Sequence, residues 1–168
     1  MTDADVTEAD ILRADLLELL DGVGAHMTFE EAVADFPDEG INRRPPNVSY
    51  SPWHLLEHLR LVQLDILDYV TNPDYDELPW PEGVWPPAEA EATPTQFAAT
   101  IRSFLADRAA LRALAADPAT DLLATLPKTP GHTLLREVRL VGDHNAYHVG
   151  EFAVLRQVME TWPPDRDS

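Results

Sequence analysis

The chain has 168 residues, 45% of them hydrophobic, and carries 30 acidic side chains against 12 lysines and arginines, a formal net charge of -18. This length and apolar content predict a single domain over residues 1–168 with its own core. The negative charge repels phosphates, so we expect no nucleic acid and no membrane as a partner. An acidic N-terminus and the lack of a long apolar run predict a cytoplasmic protein.

The sequence contains no cysteine. Disulfides, thiolate metal sites and a cysteine nucleophile are therefore excluded, and any metal site must use His, Asp or Glu side chains. Imidazole combined with carboxylate or water suits Zn, Ni or Fe(II) better than Ca. The histidines are the residues to follow along the chain.

Amphipathic patterns, with apolar residues three and four positions apart, dominate the sequence. Good N-cap residues open several of them, and Ser51 followed by Pro52 is a clear example. Residues 28–36 add a short helical piece that begins at a capping box and stops at Pro37. The long patterns predict four helices, at about residues 7–21, 52–70, 94–115 and 133–161.

Two long connections between these helices resist regular structure. Residues 37–50 are rich in Pro, Gly and Asn, and residues 72–94 combine several prolines with Trp80 and Trp85. Neither strand alternation nor an internal repeat is present. The predicted fold class is therefore all-α, a four-helix bundle with long proline-rich crossover loops, in which sites form from the inward side chains of facing helices.

Four of the six histidines form two pairs with a spacing of four residues. His54 and His58 lie in the second long helical pattern, and His144 and His148 lie in the last one. Residues four apart sit above one another on one face of a helix, so each pair can present two imidazoles to one point. This is a metal-ligand spacing, although hydrogen-bonded core histidines would give the same pattern.

Helical geometry separates the members of the two pairs. His148 lies inside the apolar stripe of the last helix and His144 lies at its edge, so both face the core. His58 lies roughly 70° from the centre of its stripe, whereas His54 lies roughly 110° away. We predict that His58, His144 and His148 hold a metal ion and leave positions open for water or substrate, as in a catalytic site. His54 is the alternative ligand or an outer partner of the site.

Other side chains are candidates for roles beside such an ion. Arg43 and Arg44 in the first crossover could hold a substrate carboxylate. Trp85 is a candidate substrate contact, because tryptophans in a long connection can fold over a pocket; the alternative is that it covers the bundle end as packing. A base must lie within hydrogen-bond reach of the nucleophile. The candidate bases are Glu57, Glu137 and Glu151.

The histidine motifs resemble those of the DinB/YfiT-like superfamily. Its members are four-helix bundles with His-x-x-x-His on the last helix, followed by Gly-Gln, and with one His in a Trp-x-Leu-x-His-Leu context on the second helix. Here residues 53–59 read Trp-His-Leu-Leu-Glu-His-Leu, with the Trp one place further from the His, and residues 144–151 read His-Asn-Ala-Tyr-His-Val-Gly-Glu. Glu151 stands where these relatives have Gln.

The resemblance implies a divalent metal, commonly Zn or Ni, held by His58, His144 and His148, and a homodimer. Similar proteins include bacillithiol- and mycothiol-dependent transferases and isomerases, and others are described only as metal-dependent hydrolases. Membership of a superfamily does not settle chemistry. Two classes of function therefore stay open. One is an enzyme, either a low-molecular-weight-thiol S-transferase or a hydrolase acting on a small molecule. The other is a non-enzymatic metal-binding or stress-related protein whose metal braces the bundle.

Overall fold

The computed structural model describes residues 6–127 and 129–164 and confirms the all-α class. Its helices are α1 (Glu8–Asp21), α2 (Phe29–Val33), α3 (Pro52–Thr71), α4 (Pro94–Ala116) and α5 (Leu134–Met159), with a short 3-10 helix at Asp38–Gly40. In these two ranges the extended pairing consists of one isolated bridge, between Thr125 and Thr133. The acidic residues 1–5, on which the expectation of a cytoplasmic protein partly rests, lie outside the described residues, as do 128 and 165–168.

Side-chain caps fix where the helices begin. The hydroxyls of Thr7, Thr28 and Thr93 each accept a backbone N–H three residues on, and the side chain at that third position returns the bond. Pro52 and Pro94 occupy the first turns of α3 and α4, where a missing N–H costs nothing. These caps explain why the predicted starts of the long helices agree with the structure to within about two residues.

The long helices pack so that α3 contacts α4 on one side and α5 on the other, and α1 contacts the remaining sides of α4 and α5. The two helices that carry the histidine pairs are therefore neighbours in the bundle. On its opposite side α5 comes close to α1 at Gly142, where an added Cβ would lie only 2.3 Å from Cγ of Leu19. This close contact between the two helices explains why Gly142 stands in the middle of α5.

The core divides into two clusters along the bundle. One surrounds a stack of the Phe29 and Phe104 rings, whose centroids are 3.9 Å apart, and it includes Phe97 and Phe152. The other lies around Leu16, Leu111, Val138 and Val141. None of the helices in the described part of the chain combines the length and the apolar content needed to cross a bilayer.

Candidate metal centre

Three histidines from two helices meet where α3 faces α5. One ring nitrogen from each of His58, His144 and His148 lies within 4.8 Å of the others. The Nε2 atoms of His58 and His144 are 3.2 Å apart. Two imidazole nitrogens bound to one tetrahedral ion at about 2.0–2.1 Å would be about 3.3 Å apart. The structure therefore brings together the three residues that the sequence predicts as ligands, at a separation that suits a shared ion.

The spacing along α5 places two of these rings, and the register of α3 against α5 places the third. His144 and His148 are one helical turn apart, and their ring centroids are 4.5 Å apart. His58 comes from the facing helix, with its ring centroid 4.9 Å from that of His148 and nearly perpendicular to it. His58 is buried, while the other two are partly exposed. The cluster thus lies at the edge of the core with one side near solvent.

The outer partners of two rings fix their tautomers. Nδ1 of His58 lies 2.7 Å from the carbonyl oxygen of Val84, which can only accept, so this nitrogen carries the proton. Nδ1 of His148 lies 2.6 Å from Oε2 of Glu151, whose carboxylate likewise accepts. In the neutral rings Nε2 then carries no proton and has a free lone pair. This is the form of histidine that binds a metal. Both rings are oriented as ligands.

Glu151 has a partner on each carboxylate oxygen. Besides its bond to His148, it accepts a hydrogen bond from the hydroxyl of Tyr50 on Oε1. The hydrogen bond from His148 is the main cause that lowers the pKa of Glu151, and Tyr50 acts in the same direction against the effect of burial. Burial and this carboxylate together raise the pKa of Tyr50. Glu151 is therefore an ionised outer partner of His148.

Burial also acts on the rings themselves. Burial, joined by the nearby rings of His148 and His58, lowers the pKa of His144 to about 4. Burial is the main cause that lowers the pKa of His58 as well. A histidine must be neutral to ligate a metal, so both rings are in the required form at neutral pH. No Asp, Glu or further His within 6–127 and 129–164 joins the cluster, which leaves positions open around an ion. The donor set therefore fits a divalent metal of the zinc type.

Trp85 forms a wall of the cluster. Its indole stacks on the ring of His58, with centroids 3.9 Å apart and planes within 7° of parallel. Tyr50 packs against the same indole at 5.5 Å. Trp80, from the same connection, is 73% exposed. The second crossover therefore contacts His58 twice, through the Val84 carbonyl and through the Trp85 ring.

His54 does not take part in the cluster. It is the third residue of α3, and its ring completes the capping box with Ser51, with Nδ1 2.6 Å from the Ser51 hydroxyl. Its other nitrogen lies 3.2 Å from the carbonyl oxygen of Pro87. Both ring nitrogens are engaged and the residue is 3% exposed. His54 therefore forms part of the N-terminal cap of α3.

Two of the three candidate bases lie elsewhere. Glu57 forms a salt bridge of 2.5 Å with Arg60 on its own helix. Glu137 pairs with Arg136 and has an oxygen 3.3 Å from Nδ1 of His132. Neither belongs to the histidine cluster. Of the three, Glu151 alone contacts a ligand histidine in the described part of the chain.

The two candidate substrate arginines bind backbone carbonyls. Arg43 donates to the carbonyl of Met159 at 2.6 Å, and Arg44 donates to that of Ala88. Each hydrogen bond connects the first crossover to a distant segment of the chain. These hydrogen bonds explain where the two arginine side chains lie.

Sequence reasoning missed the partners that the crossovers supply. The Val84 carbonyl is a backbone atom and leaves no mark on the sequence. Tyr50 precedes the Ser51 cap and reads as a residue that packs on the start of α3, so its bond to Glu151 is found only in the folded chain. For Trp85, the only sign in the sequence of a place near the site was its position in a long proline-rich connection.

Comparison with known families gives one match. The model of the DinB superfamily matches residues 22–152, which include all three histidines of the cluster. No curated protein and no solved structure matches the chain.

Proposed function

The chain belongs to the DinB superfamily, and from this premise we propose that it is a metal-dependent enzyme that transfers a low-molecular-weight thiol to a small electrophile. A divalent ion, Zn or Ni with Fe as a further option, would be held by His58, His144 and His148. The observation that carries the proposal is the convergence of these three imidazoles, with two Nε2 atoms 3.2 Å apart and no fourth ligand from the described residues.

Each residue around the ion has a defined task. A divalent ion in this position lowers the pKa of a thiol or a water molecule that ligates it. His58 and His148 would hold the ion through Nε2, because their Nδ1–H groups are used on Val84 and Glu151. Glu151 orients the ring of His148 through its Nδ1–H group, and Tyr50 holds that carboxylate in place.

The placement of the carboxylates favours a thiol over water as the nucleophile. Glu57 and Glu137 pair with arginines away from the cluster, and both oxygens of Glu151 have partners. A coordinating thiol is deprotonated outright and needs no separate base. Water reaches a pKa of about 7 on a metal and commonly needs a base as well. Hydrolysis is the second candidate, and Glu151, released from Tyr50, would be its base.

Trp85 is the side chain that we assign to substrate contact. Its indole covers the ring of His58, so an electrophile held against it would lie beside the open positions of the ion. The aromatic wall also limits the access of water to that side. Arg43 and Arg44 stay candidates for binding a substrate carboxylate, because each exposed guanidinium uses one nitrogen on a backbone carbonyl and keeps other N–H donors.

Metal content and thiol turnover test the proposal. The purified protein should contain close to one divalent ion per chain, and the loaded protein should consume a thiol cosubstrate together with a generic electrophile, followed as loss of free thiol. Chelated protein should be inactive and recover on addition of Zn²⁺ or Ni²⁺. If metal binds but neither thiol nor ester substrates turn over, the result favours the non-enzymatic function. Chelation should then lower the melting temperature without any loss of activity to measure.

The homodimer implied by the family resemblance remains a prediction. Tyr147, Val154 and Val158 share the outer face of α5 and are 71%, 62% and 56% exposed. Such an apolar stripe is the kind of surface that a second copy would cover. Light scattering on the purified protein, compared with Val154→Asp, tests this: a dimer that persists unchanged in the variant would place the interface elsewhere.

A further inference from the structure

A cavity of about 580 Å³ lies between α3, the start of the second crossover and the N-terminal part of α5. Its lining combines three carboxylates and three aromatic rings with the apolar side chains of Ile66 and Leu140. None of the three clustered histidines lines it. Asp65, one of its carboxylates, is two turns after His58 on α3, which is about 10.5 Å along the helix axis. The cavity is therefore separate from the histidine cluster, and its volume suits a small molecule.

The aromatic rings of the cavity stand at steep angles to one another. The ring centroids of Tyr69 and Tyr75 are 5.1 Å apart, with 65° between the planes. Those of Tyr69 and His132 are 6.1 Å apart, with 82° between the planes. The face of an aromatic ring carries negative charge density and attracts a cation. Rings that face in different directions around one space are typical of sites that hold organic cations.

One of the three carboxylates has a free oxygen on a buried side chain. Glu137 lines the cavity and is 3% exposed. Arg136 and His132 both contact its Oε1 atom, with Nδ1 of His132 at 3.3 Å. Oε2 has no hydrogen-bond partner among residues 6–127 and 129–164. A buried acceptor without a partner is costly, so this oxygen favours a ligand that can donate to it.

The other two carboxylates have no positive partner among the described residues. Asp65 accepts a hydrogen bond from the hydroxyl of Tyr75, at 3.0 Å. No arginine of residues 6–127 and 129–164 pairs with Asp65 or with Glu77. Burial is the main cause that raises the pKa of Asp65, and the charges of Asp68 and Glu77 act in the same direction. A cation in the cavity would relieve this repulsion between carboxylates.

We propose that this cavity is a binding site for a small organic ammonium ion that carries N–H groups, such as a primary amine. The N–H groups donate to Oε2 of Glu137 and to Asp65, and the positive charge lies against the rings of Tyr69 and Tyr75. A metal ion is not the expected occupant, because among the described residues only the histidine cluster brings three ligand atoms within 4.8 Å of one another. The proposal does not depend on an ion at that cluster.

The alternative is that a chain with a net charge of -18 attracts any cation to its surface. Benzylammonium, benzyl alcohol and benzoate share one ring and differ in charge, so they separate the two explanations. A ¹H–¹⁵N NMR titration of the full-length chain gives both the affinity and the location of binding. The protein is treated with chelator, because an amine can also ligate a metal. Benzylammonium should bind at least about tenfold more tightly than benzyl alcohol, with shifts around the cavity, and benzoate should not bind.

Substitutions in the lining test which side chains hold the ammonium group. Asp65→Asn and Glu137→Gln keep the shape of the side chain and remove its charge, so each should lower the affinity for benzylammonium about tenfold. Tyr69→Leu removes one aromatic wall and should also weaken binding. Asp15→Asn is the matched control: it removes the same charge from an exposed position on α1 outside the cavity, and it should bind as the parent does.

The outcomes that overturn the inference are specific. Equal affinities for benzylammonium and benzyl alcohol would do so, and so would a loss in Asp15→Asn as large as that in Asp65→Asn. Lys128 lies outside the described residues, and binding that is found only in Lys128→Gln would mean that the chain supplies the cation itself. If Glu137→Gln does not fold, Asp65→Asn and the three probes still decide. Because the protein is chelated, a failure here leaves the proposed metal-dependent function untouched.

Discussion

His144 and His148 lie in the middle of α5, where residues four apart face the same neighbouring helix, and both rings enter the cluster. His54 and His58 have the same spacing on α3, but only His58 enters it. His54 belongs to the first turn, where backbone N–H groups have no partner within the helix, and its ring caps that turn through Ser51. The comparison teaches that spacing identifies a face of a helix, whereas distance from the helix start decides what a side chain on it is free to do.

The largest effect should come from removing single histidines. His58→Ala, His144→Ala and His148→Ala should each reduce bound metal to the background of chelated protein, because two imidazoles with open positions hold an ion weakly. His54→Ala is the matched control and should keep the metal content of the parent. Elemental analysis after dialysis measures this. Full metal content in any of the three variants, or loss of metal in His54→Ala, would mean that the two pairs have been assigned the wrong roles.

The outer partner of His148 should give the next largest effect. Glu151→Leu removes the carboxylate that orients this ring, so we expect metal affinity to fall about 10–100-fold. Glu151→Gln keeps an acceptor without the charge and should lose less. Glu137→Gln, which alters a carboxylate away from the cluster, is the control and should bind as the parent does. Competition with a metal-binding dye gives the three affinities, and equal values for Glu151→Leu and Glu137→Gln would contradict the assignment.

Acid should destabilise the chelated protein through His144. Its pKa is about 4 in the folded chain and about 6.5 when unfolded, so between these values the unfolded chain binds a proton that the folded chain does not. The contribution is complete above about pH 6.5 and is lost as the pH falls toward 4. From pH 7.5 to 5 the free energy of unfolding should fall by at most about 2 kcal/mol. Urea unfolding at the two pH values measures this change in the free energy of unfolding. His144→Gln should show a smaller decrease than the parent. An equal decrease in the variant would mean that other groups cause the pH dependence.

The smallest effect should be found at the helix cap. His54→Ala should lower the free energy of unfolding by about 1 kcal/mol, because it removes the reciprocal bond to Ser51. His54→Gln can rebuild the ordinary form of the capping box and should lose less. Chemical denaturation of both variants decides this. The role as a cap would be contradicted if the Gln and Ala variants were equally destabilised.

Local patterns were enough to predict the bundle and the histidine cluster. Apolar periodicity gave the four long helices, and the four-residue spacing combined with the apolar stripes separated His58 from His54. Of the three candidate bases, Glu151 lies beside His148, but Glu57 and Glu137 do not lie at the cluster. Glu137 is two turns before His144, about 10.5 Å along the axis, and Glu57 is next to His58 but about 100° around the helix. Sequence proximity did not place either carboxylate at the cluster.

Glu151 and Trp85 are named from the sequence as candidate site residues, but the contacts of the cluster with distant segments could not be predicted, because they depend on how those segments lie on one another. The Val84 carbonyl and Trp85 reach His58 only through the path of the second crossover. Gln63 meets Asn145 only in the packed bundle, across 82 residues of chain. Such contacts have no periodic or spacing signal. The Val84 carbonyl nevertheless determines which nitrogen of His58 is available.

The stack of Trp85 on His58 also makes tryptophan fluorescence a probe of the cluster. A face-to-face contact at 3.9 Å couples the indole to the imidazole, so its fluorescence responds to whatever that imidazole binds. The other tryptophans are placed differently: Trp53 contacts the capping His54, Trp80 faces solvent and Trp162 covers Arg156. Binding of an ion at the cluster should therefore change the emission of Trp85 and leave that of the other three tryptophans largely unchanged.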